Sequence, residues 1–127
     1  MSARRGEWIF PPSVECVGEA RELVRKTLAD WGLPHFIERV TLIVSELTTN
    51  VVLHAATPLT LTLHVERGER LRGQVADGSS DLPAPGRPND DAEGGRGLAI
   101  VDVLADAWGI TPTANGKTVW FECRETC

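Results

Sequence analysis

Cysteine is scarce in this sequence. Cys16, Cys123 and Cys127 are the three present, none lies in a CxxC pair, and none is spaced from a histidine as zinc ligands are. A disulfide framework and a structural zinc site are therefore excluded, and the three read as free thiols. Long apolar runs are missing too, since no stretch approaches the roughly 20 residues that a membrane-spanning helix needs. The first residues, Met1-Ser2-Ala3-Arg4-Arg5-Gly6-Glu7, lead into Trp8 and Pro11-Pro12 without the apolar core of a secretory signal, so a cytoplasmic protein with no membrane contact is expected. Positive charge is in deficit, with 13 Lys+Arg against 18 Asp+Glu for a formal net charge of −5. A surface of that sign repels a polyanion, which argues against direct nucleic-acid binding. A small nucleotide, held by local donors and a metal ion, stays compatible with it. No internal repeat is visible.

What is present is the composition of an ordinary soluble globular domain, 42% hydrophobic and 24% charged. A chain of 127 residues supports one core and removes roughly two-thirds of its extended surface from water, so residues 1–127 are expected to form a single domain.

Residues 1–12 read as an N-terminal arm, with an edge strand through Trp8-Ile9-Phe10 ended by Pro11-Pro12. Ser13 is placed to cap a helix in which Val14, Val17, Ala20, Val24, Leu28 and Trp31 recur at three- and four-residue steps. Gly32 and Pro34 stop it. A second helix is predicted from about His35 to His54, with Phe36, Val40, Ile43, Val44, Leu47 and Val51 as its buried stripe. Its segment Thr48-Thr49-Asn50-Val51-Val52 is poor in intrinsic helix formers, so packing or a ligand has to hold that turn. From Leu59 the period becomes two: Leu61, Leu63 and Val65 alternate with polar residues, and Gly68 turns the chain into Leu71, Gly73 and Val75, an antiparallel hairpin. Residues 79–96, with three prolines and several glycines, have the composition and length of a lid. After Gly94-Gly95-Arg96-Gly97 a helix resumes through Leu98, Val101 and Leu104 to about Ala107, and a closing hairpin turns around Asn115-Gly116. Helices on one face of a mixed, mainly antiparallel sheet make a two-layer α+β sandwich.

Three groups of residues could carry chemistry. Glu46, Asn50 and His54 are spaced by four, so successive side chains lie about 40° apart on one helical stripe. Glu46 can take a proton from a hydroxyl, and the Asn50 amide oxygen is a hard ligand of the kind Mg²⁺ accepts. The same spacing also suits a solvated face opposite the core. Gly94-Gly95-Arg96-Gly97 before a helix lets backbone N–H groups approach a polyphosphate with Arg96 adding a charged fork, although glycine clusters also serve as plain loops or caps. Asp77, ending an apolar strand, can accept a hydrogen bond from an exocyclic amine with Gly78 leaving room for a flat ring, or it can simply open a turn.

Taken in order, these features resemble the ATP-binding domain of the histidine-kinase-like (GHKL) ATPase superfamily, the Bergerat-type fold shared by gyrase, Hsp90, histidine kinases and MutL. Glu46-Leu47-Thr48-Thr49-Asn50-Val51-Val52-Leu53-His54 is similar to the N box of the anti-sigma-factor serine/threonine kinases. Asp77-Gly78 falls where their adenine-contacting aspartate lies, and Gly95-Arg96-Gly97-Leu98 where their second glycine box lies. The resemblance covers about residues 10 to 123 and is nearest to the short stand-alone regulators of actinobacteria, in which Trp108-Gly109 and Gly116-Lys117-Thr118-Val119-Trp120 also occur.

It implies ATP and Mg²⁺ as cofactors, with Glu46 as the catalytic base and Asn50 on the metal. Asp77 and Gly78 would sit at adenine, and Gly95, Arg96, Gly97 and Leu98 at the phosphates, while His54 either supports the metal or phosphate side or is structural. The implied activity is that of an anti-sigma factor and protein kinase phosphorylating a STAS-type anti-anti-sigma partner, with a sigma factor as the other partner and a homodimer through the sheet edge or the first helix. One departure stands out. The family's first glycine box reads Asp-x-Gly-x-Gly, whereas this chain has Asp77-Gly78-Ser79-Ser80-Asp81. The altered loop implies weakened ATP binding and leaves open a catalytically inactive regulator that acts by sequestering a sigma factor or a STAS protein.

Overall fold

The computed structural model describes residues 3–66, 70–79 and 92–125, and the side chains of these except at 92–97. Strand β1 (Arg4–Phe10) leads to helix α1 (Val14–Asp30). A short 3₁₀ turn (Pro34–Phe36) opens helix α2 (Ile37–Asn50), which runs on as a π-helical turn (Val51–Ala55). Strands β2 (Leu59–Glu66) and β3 (Arg70–Asp77), helix α3 (Ala92–Leu104), and strands β4 (Ala107–Thr113) and β5 (Gly116–Arg124) complete the order.

The strands form one open sheet in the order β1-β2-β3-β5-β4, and all four pairings are antiparallel. The expected α+β sandwich is what forms, with a sheet that is antiparallel throughout the described residues and not mixed. The three helices cover one face, where α2 packs on both α1 and α3. The predicted stripe of α2 is the one that is buried: Phe36, Val40, Ile43 and Val44 are fully shielded, and Leu47 and Val51 nearly so. Alternation in the strands supplies the opposing layer, with Leu61, Leu63 and Val65 of β2, Leu71 and Val75 of β3, and Val119, Phe121 and Cys123 of β5.

Local rules explain the boundaries. Helix α1 ends in a Schellman motif in which Leu33 N–H donates to Leu28 O at 2.8 Å and Gly32 N–H to Ala29 O at 3.1 Å. Gly32 sits at φ +75°, a conformation that favours glycine. Ser13 takes the N-cap position as expected, but its hydroxyl makes no capping bond and its carbonyl instead accepts Cys16 N–H at 3.0 Å.

Three boundaries depart from the sequence reading. Strand β1 begins at Arg4, well before Trp8, because it pairs with β2 along its whole length. Helix α3 begins at Ala92, so the last positions of the expected 79–96 lid are already helical, and the glycines lie inside the first turns. Glycine only weakens a helix, by about 1 kcal/mol each, and here the turns that follow are anchored by the buried Leu98 and Val101. The remainder of that lid, residues 80–91, lies outside the described residues.

The third departure is the β4–β5 turn, which is formed by Ala114 and Asn115, with Gly116 already paired to Thr113 as the first residue of β5. Gly116 is there for space. A Cβ on it would lie 1.9 Å from the Asp77 carbonyl oxygen and 2.8 Å from Gly78 Cα.

Candidate functional site

Glu46 and Asn50 lie one turn apart near the end of α2. Both are half-buried, and neither side chain makes a hydrogen bond or ion pair with a described residue. The weak helix formers beside them are held from within. Thr48 Oγ1 donates to Val44 O at 2.8 Å, and Thr49 Oγ1 donates to Ser45 O at 2.7 Å. Such back-bonding satisfies buried hydroxyls but loosens a helix. Directly after Asn50 the helix widens: Ala56 N–H bonds to Val51 O at 2.8 Å, a five-residue step, and Ala56 itself turns left-handed at φ 53°. Single π turns are rare and frequent at functional sites. Of the two supports expected for this segment, packing or a ligand, packing is present: Thr48 and Val51 are buried. His54 lies on the π turn and is exposed.

The second part is the end of β3. Inward-facing residues of this strand are Leu71, Gly73, Val75 and, by the same alternation, Asp77. The Asp77 side chain is 2% exposed, and it is not alone. Its pairing partner across the sheet is Lys117, likewise inward-facing on β5, whose ammonium lies 3.1 Å from each carboxylate oxygen. Ser79 N–H also donates to Asp77 Oδ1 at 2.8 Å, closing a local turn. Gly78 N–H donates to Thr57 Oγ1 at 2.9 Å, which ties the end of β3 to the residues that follow the π turn. A Cβ at position 78 would meet Thr57 at 3.5 Å, an ordinary contact.

Helix α3 supplies the third part. Its far end is fixed beside the start of α2, where Asp106 Oδ2 accepts Arg124 N–H at 2.6 Å and lies 3.5 Å from Arg39 Nη1. Asp106 N–H also bonds to Glu122 O at 2.8 Å. Because α3 also packs along α2, its beginning at Gly94–Gly97 lies towards the Asn50 end. The unpaired N–H groups of a helix start carry partial positive charge and suit an anion. Leu98, expected at the phosphates, is buried at 2% exposure. The Arg96 side chain lies outside what is described.

Three stretches distant in sequence are thus carried to one end of the molecule by the topology: the end of α2, the end of β3 with the start of β5, and the start of α3. Reading the sequence missed Lys117 and Thr57. A signal for Lys117 existed, because the period of two that buries Val119, Phe121 and Cys123 also turns residue 117 inward. Thr57 left no such trace, since its role depends on where Gly78 arrives. The described cysteines, Cys16 and Cys123, are free as expected; both are also buried, and burial pushes the Cys123 thiol up to about 11. Cys127 lies outside the described residues. No helix among those described is long and apolar enough to cross a membrane.

Comparison of sequences gives the class: residues 10–123 match the histidine kinase-like ATPase domain, and the chain belongs to that family. Solved structures share its fold, among them two of particular interest. One, the RsbU and RsbW domains of Rv1364c from Mycobacterium tuberculosis, superposes with a TM-score of 0.74 at 19% identity, covering 95% of this chain and 32% of that one. The other is the histidine kinase domain of the blue-light activated histidine kinase EL346 from Erythrobacter litoralis, with a TM-score of 0.56 at 21% identity over 85% of this chain and 58% of that one. This chain therefore spans about a third of the first protein and somewhat over half of the second. Among curated proteins, no sequence matches.

Proposed function

We propose that this domain binds ATP with Mg²⁺ and acts as an anti-sigma regulator that phosphorylates a serine or threonine of a STAS-type anti-anti-sigma partner. The observation that carries this reading is the end of α2, where Glu46 and Asn50 stand half-buried just before a π turn, with no hydrogen bond or ion pair to a described residue. A carboxylate and an amide without partners among the described residues, next to a helix irregularity, suit groups reserved for a ligand.

The residues present fit the cofactor. No cluster of three carboxylate, histidine or cysteine side chains among the described residues could cage a metal. The donor set at α2 is one amide oxygen and one carboxylate, which suits Mg²⁺, an ion that keeps waters and is shared with phosphate oxygens. Asn50 would hold the metal through its amide oxygen. Asp77 would accept the adenine amino group, Gly78, which carries no side chain, would leave room for the ring, and the backbone N–H groups at the start of α3 would face the phosphates. Glu46 would orient the partner's hydroxyl and take its proton. Bound Mg²⁺ supplies neutralisation of the charge that spreads over the transferring phosphoryl group. Phosphorylation of the STAS partner would release this protein to hold a sigma factor in the cytoplasm. A homodimer would use β1, a sheet edge bearing the exposed Ile9, together with the exposed Val14 of α1.

The test is transfer of labelled γ-phosphate to a serine-bearing STAS protein in the presence of Mg²⁺. Transfer is expected in the native chain and lost in Glu46→Gln. By calorimetry, Asn50→Ala should weaken Mg-ATP binding at least about tenfold, the worth of one charge-assisted contact. Undiminished affinity in that variant would remove the metal assignment.

A second reading draws on one specific observation: the Asp77 carboxylate is already held by Lys117 and Ser79, in a loop that lacks the family's glycines. On this reading the domain sequesters its partner without catalysis. Tight binding of the STAS protein or sigma factor with no phosphate transfer would decide for it.

A further inference from the structure

The buried ion pair at the end of the sheet has valences to spare. An ammonium carries three N–H donors, and Lys117 donates one of them to Asp77 Oδ1 at 3.1 Å while its charge lies 3.1 Å from Oδ2. No other described residue takes a donor of this ammonium. A carboxylate offers about four lone-pair sites, and Asp77 fills two of them, both on Oδ1, with Lys117 and with Ser79 N–H. Among the described residues an open acceptor, Oδ2, and a charged donor thus remain side by side. Of the two groups, Lys117 is the more accessible, at 10% side-chain exposure against 2% for Asp77. Because the ammonium lies 3.1 Å from the carboxylate, a ligand that reaches Asp77 meets Lys117 as well.

An adjacent acceptor and donor complement the edge of a purine. Adenine presents a donor, its 6-amino N–H, beside an acceptor, ring N1, at hydrogen-bonding separation from one another. A lone carboxylate would engage the amine alone. The pair found here engages both atoms, and the fixed register between β3 and β5, which sets Asp77 opposite Lys117, holds the two groups in place. We propose that Lys117 is a second base-reading residue of this domain, donating to purine N1 while Asp77 accepts from the 6-amine. The inference rests on the nucleotide-binding reading above and adds to it a specificity residue on β5, with a donor where that reading has only an acceptor.

The experiment measures the affinity of the native chain, with Mg²⁺, for ATP, for 1-deaza-ATP, in which N1 is replaced by C–H, and for purine riboside triphosphate, which lacks the 6-amine. Each analogue is expected to bind about 10- to 100-fold more weakly than ATP, the loss of one hydrogen bond to a charged group. In Lys117→Met the preference for ATP over 1-deaza-ATP should fall to within about twofold, while the preference over the riboside analogue persists. Equal affinity of the native chain for ATP and 1-deaza-ATP overturns the role of Lys117 and leaves nucleotide binding standing. Failure of the native chain to bind any of the three overturns both. The decisive comparison needs no variant, so poor folding of Lys117→Met would not shield the proposal. If Lys117→Met folds and still discriminates 1-deaza-ATP as the native chain does, the donor is another group and the proposal falls.

Discussion

Substituting Gly116 by alanine tests how tightly β5 is pressed against the end of β3. The added Cβ would stand 1.9 Å from the Asp77 carbonyl oxygen and 2.8 Å from Gly78 Cα, and both of those atoms are backbone. Ordinary carbon contacts begin near 3.5 Å, so the strands have to part by about 1.5 Å at this point. A displacement of that size takes ladder hydrogen bonds out of range. Two such bonds are worth about 1 kcal/mol each. The Asp77–Lys117 pair is stretched in the same movement, for a combined loss of about 3 kcal/mol. That is a large share of the 5–15 kcal/mol typical of a whole domain.

Urea unfolding followed by tryptophan fluorescence should show the midpoint falling by about 1.5 M, taking a slope near 2 kcal/mol per M. Gly18→Ala supplies the opposite control. Gly18 lies in α1 with nothing within 4 Å of the added Cβ, so alanine there should stabilise by about 0.5–1 kcal/mol. A loss below about 1 kcal/mol in Gly116→Ala would refute the claim that glycine is held there by backbone proximity.

Asp77→Ala leaves the Lys117 ammonium without its partner and should cost about 3–5 kcal/mol in urea unfolding, whereas the double replacement Asp77→Leu with Lys117→Met should recover most of that. A double variant no more stable than the single one would show that the charges are not coupled. Burial raises the Cys123 thiol from an ordinary 9.0 to about 11, so the folded state keeps its proton where the unfolded chain has lost it. Stability should hold below pH 9 and decline between pH 9 and 11 by up to about 3 kcal/mol; in Cys123→Ala that alkaline decline should shrink by the same amount, measured by unfolding at each pH.

Much of the fold was legible because two periodicities dominate the chain. The six residues predicted to line α2 are all shielded, along with Thr41 and Thr48, and the alternation from Leu59 placed the hairpin and its inner face. The same alternation explains why Asp77 faces the helices and not solvent. What escaped reading was set by contacts between distant segments. The π turn after Asn50 follows from packing around Val51 and from threonine hydroxyls bonding backward, neither of which the propensity of single residues reveals. Gly116 looked like a turn residue because Asn-Gly is a turn pair, while its use is to let two strands approach. Helix α3 starts earlier than its glycines suggested, since buried residues downstream override weak local preference.

The strand order carries a consequence for assembly of the molecule. The β2–β3 and β4–β5 hairpins each join neighbours in sequence, but β1 reaches β2 only after the chain has passed through both α1 and α2. Closing that long segment costs entropy before any pairing rewards it. The hairpins therefore zip early, and until β1 docks, the margin of β2 offers a row of open backbone valences next to Leu61 and Leu63. The N-terminal strand is in this sense a late seal, and a chain that loses it should turn self-adhesive along that margin before it loses its helices.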